Sequence, residues 1–470
     1  MWAFRAWLLC FGAFVSAVSE GCGRSTSPAT CTAPTDAQFC SAHAVQCGQA
    51  TGTDACGSGR SVANCGGCVE PATCGGGGSP GQCGEPMITG VVVDEIGLPV
   101  PGAKVALLGA GIPLVTTGAD GKFSFPVVGH SYDIAAAVAP HTAVVYQGLT
   151  RSDPTLTLAT VSATSRHTGY LDITLSPAPT TSFSSTAAFI PPKSRSIYDW
   201  TGQPMPFAPQ LRLDWSGSST SVIGTAVVFE VVAGSFTRVG SSTEMIAAGQ
   251  TRGVTLPMTT ISSGTVTGSV TLASASQVVV GIALRARVEN LDVSIMAQNT
   301  GTAFGFAAPV APSYPLTVAV WAQEGFWGEL SMSCKQVTPS STGIVVSVPT
   351  GPHLTSPVYG ATGIDSSSTF SWTPAGGSVF LVRLSQLDAS LVFTVNALDI
   401  YTSASSVEIP DLTSLGFSLP SATTINWKVL GAVPNPGVVG QTVDDTAALP
   451  WVTDCNSTAT ETVESYFTTL

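Results

Sequence analysis

The chain has 470 residues, enough for three or four domains of ordinary size with full hydrophobic cores. Its formal net charge is -12 with only 17 Lys and Arg, which excludes the basic patch that binding to nucleic acid or an anionic membrane face requires. Gly, Pro, Ser and Thr separate short runs of Val, Ile, Thr and Phe, and no long run has a 3.6-residue period. The expected fold is all-β: a multi-domain chain of β-sandwiches preceded by a small disulfide-rich, loop-dominated module.

Residues 1–21 read as a signal peptide, with Arg5 as the positive region and Ala6 to Val18 as an apolar run too short to span a bilayer. Two cleavage readings are open. Ala17-Val18-Ser19 suits an ordinary signal peptidase, whereas Ser19-Glu20-Gly21-Cys22 resembles a bacterial lipobox, with Glu20 as a departure from the pattern and Cys22 as the acylated residue. Cysteine parity favours lipidation: cleavage after Ser19 leaves an odd number of cysteines, and use of Cys22 leaves ten. Residues 22–30 then form a polar tether. The expected location is the outer membrane or cell surface as a lipoprotein, with free secretion as the alternative.

Residues 31–84 carry Cys31, Cys40, Cys47, Cys56, Cys65, Cys68, Cys74 and Cys83 and too few large apolar residues for a core, so four disulfides are expected to replace it. Eight cysteines allow 105 pairings, among which sequence does not choose. Cys65-Gly-Gly-Cys68 has zinc-like spacing, but no second CxxC or histidine pair accompanies it, and no metal is expected. Phe39-Cys40, Asp54 before Cys56, Cys65-Gly66-Gly67-Cys68 and the four glycines after Cys74 resemble a Cys-rich module of exported proteins from gliding, fruiting Gram-negative soil bacteria. That resemblance implies export, and surface or glycan attachment, without naming a reaction.

Residues 86–175 show alternating strands with hairpin signals: Ile88 to Val93, a turn at Asp94 to Gly97, Ala103 to Leu108 after Pro101-Gly102, and Asp120-Gly121 before Lys122 to Phe125. The run from Ile88 to Gly109, with Thr116 to Phe125 and Tyr132 to Pro140, resembles the carboxypeptidase regulatory-like domain, a transthyretin-like accessory sandwich. The name implies no peptidase, since no histidine here begins HxxE; His130, followed by Asp133, reads as a polar turn residue.

Residues 176–350 are β-rich, with runs at Ala226 to Val232, Gly264 to Leu272, Val278 to Val288 and Leu316 to Trp321, and are expected to form one or two sandwiches. Thr265 to Leu272 echoes Ile88 to Val93, as a diverged second copy would. Residues 351–470 place Phe370, Trp372, Phe380, Val382, Leu384 and Trp427 at inward positions of alternating strands, and this pattern resembles a fibronectin type III or immunoglobulin-like sandwich. Cys334 and Cys455 remain, and either bridge the middle region to the last module or stay as buried thiols, export favouring the bridge.

Neither GxSxG nor HExxH occurs, no cofactor is expected, and the chain reads as a non-enzyme. Asp199, Asp214, Glu324 and Glu329 lie beside Trp200, Trp215, Phe326 and Trp327, as in sugar sites, but burial of the aromatics alone accounts for the adjacency and is the favoured explanation. Asp120, Asp444 and Asp445 lie in predicted turns without a calcium-loop spacing. The leading reading is therefore a non-catalytic adhesive, binding or spacer protein with an extracellular glycan or an envelope protein as partner. The alternatives are a carbohydrate-binding protein that stacks sugars on Trp321 and Trp327, and a polysaccharide hydrolase with its site in residues 176–350. For the anchor, labelled palmitate is expected to enter the wild-type chain and not Cys22→Ala; absence of label from both removes the lipid.

Overall fold

The computed structural model describes residues 31–69, 72–75, 80–95, 97–126, 131–159, 166–179, 182–191, 199–200, 210–216, 219–289, 291–325, 328–373, 379–387, 394–434, 443, 457–461 and 465–470. Signal-peptide, tether and Cys22 readings lie outside these residues. The chain divides into two units, Met1–Pro86 and Met87–Leu470.

In the first unit, helix Asp36–Ala42 opens on a capping box in which Thr35 accepts from the Gln38 amide and Gln38 returns a bond to Thr35. Two short ladders follow, Ala50–Thr53 with Gly59–Val62 and Thr73–Cys74 with Cys83–Gly84. Phe39, Cys40, Ala50 and Val62 make a core of only four buried side chains. Bridges Cys31–Cys56, Cys40–Cys65, Cys47–Cys74 and Cys68–Cys83 supply the missing cohesion.

The second unit is all-β, and among its described residues three sandwiches repeat one plan. In the first, strand Met87–Asp94 lies between Lys122–Pro126, antiparallel, and Thr155–Leu158, parallel. This sheet faces a second, ordered Val115–Thr116, Lys104–Leu108, Tyr132–Val138, Thr142–Leu149. The next sandwich sets Arg166–Ser176 between Gln210–Ser216, antiparallel, and Thr251–Pro257, parallel, against Asp199–Trp200, Ser184–Ile190, Ser221–Val232 and Ser235–Ala247. The third sets Ser262–Leu272 between Ala303–Val310 and Ile344–Val348 in the same senses, against Leu291–Gln298, Gln277–Val288, Leu316–Glu324 and Leu330–Val337. The strand that echoes Met87–Asp94 in sequence thus occupies the same place in its own sandwich.

The last sandwich differs. His353–Ser356, Thr369–Thr373 and Ser406–Glu408 form one sheet, and Ala361–Ile364, Ser465–Thr469, Thr424–Pro434, Val379–Leu387 and Thr394–Thr402 the other. Its second sheet does not end at its own edges. Thr394–Thr402 pairs in parallel with Thr142–Leu149 of the first sandwich, and Ser457–Glu461 joins Thr424–Pro434 to Leu330–Val337 of the third. The result is one 14-stranded sheet running through three sandwiches.

This fusion explains a failure of simple alternation. In Tyr132–Val138, Ile134 and Ala136 enter the core of the first sandwich, while Ala135 and Ala137 enter the core around Trp372 and Trp427. Likewise Ala187 and Phe189 face one core, and Ala188 and Ile190 the next. A strand covered on both faces reads as an unbroken apolar run instead of an alternating one. Local turn chemistry follows the expected signals: Asp94 accepts from the Leu98 amide at 2.8 Å, and Gly121 has φ +70, where an added Cβ would lie 2.5 Å from the Val92 carbonyl oxygen.

At the parallel seam, Arg383 forms a two-pronged pair with Asp399, Nε to Oδ1 at 2.8 Å and Nη2 to Oδ2 at 2.7 Å, and reaches Glu95 of the first sandwich at 3.4 Å. The rings of Tyr146 and Tyr401 stack across the seam at 4.4 Å, both fully buried. Tyr401→Ala is expected to cost about 3–5 kcal/mol in equilibrium unfolding, the range for emptying a large aromatic from a core. A loss below about 1 kcal/mol would show that the seam bears little of the stability.

Candidate binding surface

Strand Leu316–Glu324 turns Val318, Val320 and Ala322 into the core of the third sandwich, so period two places Ala319 and Trp321 on the opposite face. Gly281 and Met332 flank Trp321 in register on the neighbouring strands. A Cβ on Gly281 would lie 3.5 Å from the indole Cε3, so the ring has a glycine beside it and packs on Ala319 and Cys334. A bulge between Val279 and Gly281 accompanies exposed Val278 and Val280, of which Val278 is 50% exposed. The result is a partly buried indole with apolar neighbours on a sheet face, a shape suited to stacking. Trp327 lies outside the described residues.

Among the described residues, Asp214 lies in a different sandwich from Glu324 and Glu329, so the three do not form one site. Trp215 is buried and donates Nε1–H to the Ser219 carbonyl, whereas Asp214, one residue earlier, faces solvent and holds Arg212 at 2.9 Å and the Thr168 hydroxyl at 2.6 Å. Their adjacency in sequence is opposition in space. Glu324 and Glu329 close one hairpin, with the Glu324 amide donating to the Glu329 carbonyl. Glu324 Oε1 accepts from the Ser274 and Ser276 hydroxyls, while Glu329 meets His353 Nδ1 at 2.6 Å. Asp133 accepts from the Gly148 amide at the bulge of strand Thr142–Leu149, and the Lys122 amide and ammonium hold the Asp120 carboxyl below its usual value in its turn. The side chains of Asp199 and Trp200, and Phe326, His130, Asp444, Asp445 and Cys455 altogether, lie outside the described residues. Cys334 is disulfide-bonded, to a partner also outside them.

The open grooves formed by described residues of the second unit include two large ones. One, of about 630 Å³, lies in the middle region between Val239–Ser241, Pro257–Ser262 and Val310–Tyr314; none of its lining residues is a carboxylate, imidazole or thiol. The other, of about 660 Å³, contains Glu408 and Asp411, but Asp411 is engaged by the Thr413 amide and hydroxyl, which hold its carboxyl below the usual range. A pair absent from the sequence reading is Tyr359 and Tyr466, exposed rings 4.1 Å apart with their hydroxyls hydrogen-bonded. Its signal was present: Phe467 points inward, so Tyr466 must point out.

The ionised groups buried in this unit are structural. Glu230, 4% exposed, is gripped by Arg238 and by the Thr237 hydroxyl, and Arg238 also donates to the Pro177 carbonyl at 2.6 Å. Asp292 is fully buried against Arg287 at 2.9 Å, and burial pushes the neighbouring Arg285 guanidinium below its usual value.

No family model matches the chain, and no curated protein matches it. Among solved structures, the minor pilin GBS52 of Streptococcus agalactiae matches 36% of this chain and 94% of its own at 13% identity, with a TM-score of 0.17. A streptococcal ancillary pilin matches 56% of this chain and 99% of its own at 8% identity, with a TM-score of 0.16. The major pilin BcpA of Bacillus cereus matches 56% of this chain and 98% of its own at 8% identity, with a TM-score of 0.13. Scores of this size carry no argument about function, which rests on the chain's own geometry.

Glu230 offers a pH test. Arg238 lowers its carboxyl from the ordinary 4.5, so the pair stabilises the fold above that pH and the contribution is lost as pH falls through the lowered folded value. Glu230→Gln is expected to cost stability at pH 7, towards the lower end of about 3–5 kcal/mol because Arg238 keeps the Pro177 carbonyl. The gap between variant and wild type should narrow below pH 4.5 in denaturant titrations; a pH-independent gap refutes the assignment.

Proposed function

We propose that the chain is an exported, non-catalytic surface or envelope protein that spaces and presents binding surfaces. The observation that carries this reading is the 14-stranded sheet, which ties three sandwiches into one body through strand pairing instead of through linkers. A body of that kind resists bending, as a spacer must. The grooves add to the case, because neither places a nucleophile beside a base or two free carboxylates face to face.

Several finer readings belong to the same proposal. Four disulfides suit an oxidising space outside the cytosol, with Cys22 as lipid anchor. Cys334 pairs with Cys455. The two-sheet packing of residues 87–158 supports the regulatory-like resemblance, and the strand order of residues 353–469, three strands facing five, supports the fibronectin or immunoglobulin-like one. Trp321 beside Gly281 supports a glycan as ligand, the indole stacking on an apolar sugar face.

On a glycan array, wild type is expected to bind a restricted set of sugars and Trp321→Ala to lose at least about tenfold in affinity, one stacked ring being worth roughly 1–1.5 kcal/mol. Unchanged binding by the variant removes Trp321. Turnover of polysaccharides that disappears in Glu324→Gln or Glu329→Gln would overturn the non-catalytic reading.

A further inference from the structure

The sequence draws attention to Cys65-Gly-Gly-Cys68 as a metal pattern, but the structure separates the two: Cys65 bridges to Cys40, and Cys68 to Cys83. A different set is assembled instead. The sulfurs of Cys47, Cys68 and Cys83 all lie within 4.8 Å of one another, and Cys74 joins them through its bond to Cys47. Cys74 also stands directly across from Cys83 in the ladder of Thr73–Cys74 with Cys83–Gly84. Two bridges therefore share one locus, with four sulfurs drawn from four separate turns of chain.

We propose that the reduced form of this module binds one soft divalent cation, zinc or a close analogue, on Cys47, Cys68, Cys74 and Cys83. A tetrahedral thiolate site with metal–sulfur bonds of about 2.3 Å places its sulfurs roughly 3.8 Å apart. Three of the four sulfurs already lie within 4.8 Å of one another, Cys68 and Cys83 being bonded at 2.02 Å, and side-chain rotation, free once the bridges open, brings the four to that spacing. The backbone around the locus is held by bonds that reduction leaves alone. The amides of Gln46 and Cys47 donate to the Gly81 carbonyl at 2.6 and 3.2 Å, the Cys83 amide donates to Gln46 Oε1 at 3.0 Å, and Gln82 Nε2 donates to the Ala44 carbonyl. Cys47 is buried and Cys68 and Cys83 are half-buried, so a cation held there is shielded while Cys74 leaves an entry path.

The chemistry balances simply. A trialkylphosphine reduces each bridge, becoming its oxide with oxygen from water while the two sulfurs gain the hydrogens. The cation then displaces the four thiol protons to solvent, and no further electrons move. Two equivalents of a small disulfide such as oxidised glutathione, each reduced to two thiols, restore the two bridges and release the cation. The module accordingly has two closed forms, one covalent and one metallic, and the metallic one weakens in acid as the thiolates take protons back.

The test uses the full chain, reduced with the phosphine without air and titrated with cobalt(II). One equivalent is expected to produce thiolate-to-cobalt charge-transfer absorption and the visible bands of tetrahedral cobalt, both abolished by added zinc. Cys47→Ser/Cys68→Ser, which removes one sulfur from each bridge, is expected to lose the saturable signal. Cys31→Ser/Cys56→Ser, which removes two thiols outside the cluster, is expected to keep it and so controls for cobalt held by any four thiolates of the reduced module. Absence of the signal in wild type, its persistence in Cys47→Ser/Cys68→Ser, or its loss in both variants alike overturns the proposal.

Discussion

Much of the second unit depends on how two sandwich edges are closed. An edge strand exposes a row of unpaired amides and carbonyls that invites pairing with another chain. Here the sixth strand of the first sandwich, Thr142–Leu149, closes on Thr394–Thr402, and the sixth strand of the third, Leu330–Val337, closes on Ser457–Glu461. The last sandwich therefore sits between two neighbours in one sheet, with its own edges satisfied by theirs.

Closing edges this way has a packing consequence. The sheet that continues across the seam needs cover on both faces, and the two sandwiches provide it for each other. Val379, Leu381 and Tyr401 of the last sandwich lie under the small sheet of the first, while Ala135, Ala137, Ala143 and Val145 of the first lie against the core of the last. The alanines matter here, because small side chains let a second layer approach closely. The Arg383–Asp399 pair adds directional bonds at the same seam, where a shift of register would strand both charges.

The legible and illegible parts of the sequence divide along these lines. Strands with one wet face, such as Met87–Asp94 and Thr369–Thr373, alternate and were readable, as were the turns at Asp94 and Gly121. Phe370, Trp372, Phe380, Val382, Leu384 and Trp427 are all buried in one core, where alternation placed them. Runs such as Thr186 to Ile190 hide their period because both faces are dry. Helix Asp36–Ala42 carried a readable signal, Thr35 followed by Gln38, lost in a segment dominated by cysteines. For the candidate surface, Trp321 was found from its type alone; its setting beside Gly281 depends on a bulged register that no local pattern specifies. Asp214 and Trp215 are adjacent in one strand and so face opposite ways, which leaves them least able to act together.

The parallel seam also dictates an order of events during folding. Thr142 to Tyr146 pair with Ala397 to Tyr401, some 250 positions later in the chain, so the first sandwich is made long before its outer strand can find a mate and before Val379, Leu381 and Tyr401 can complete its core. In the interval, Ala143 and Val145 face water and the strand's amides stay open to any passing extended segment. Delivery of the carboxyl-terminal module is then the step that ends the vulnerable period, and a chain truncated before it would leave both that edge and that core open to aggregation.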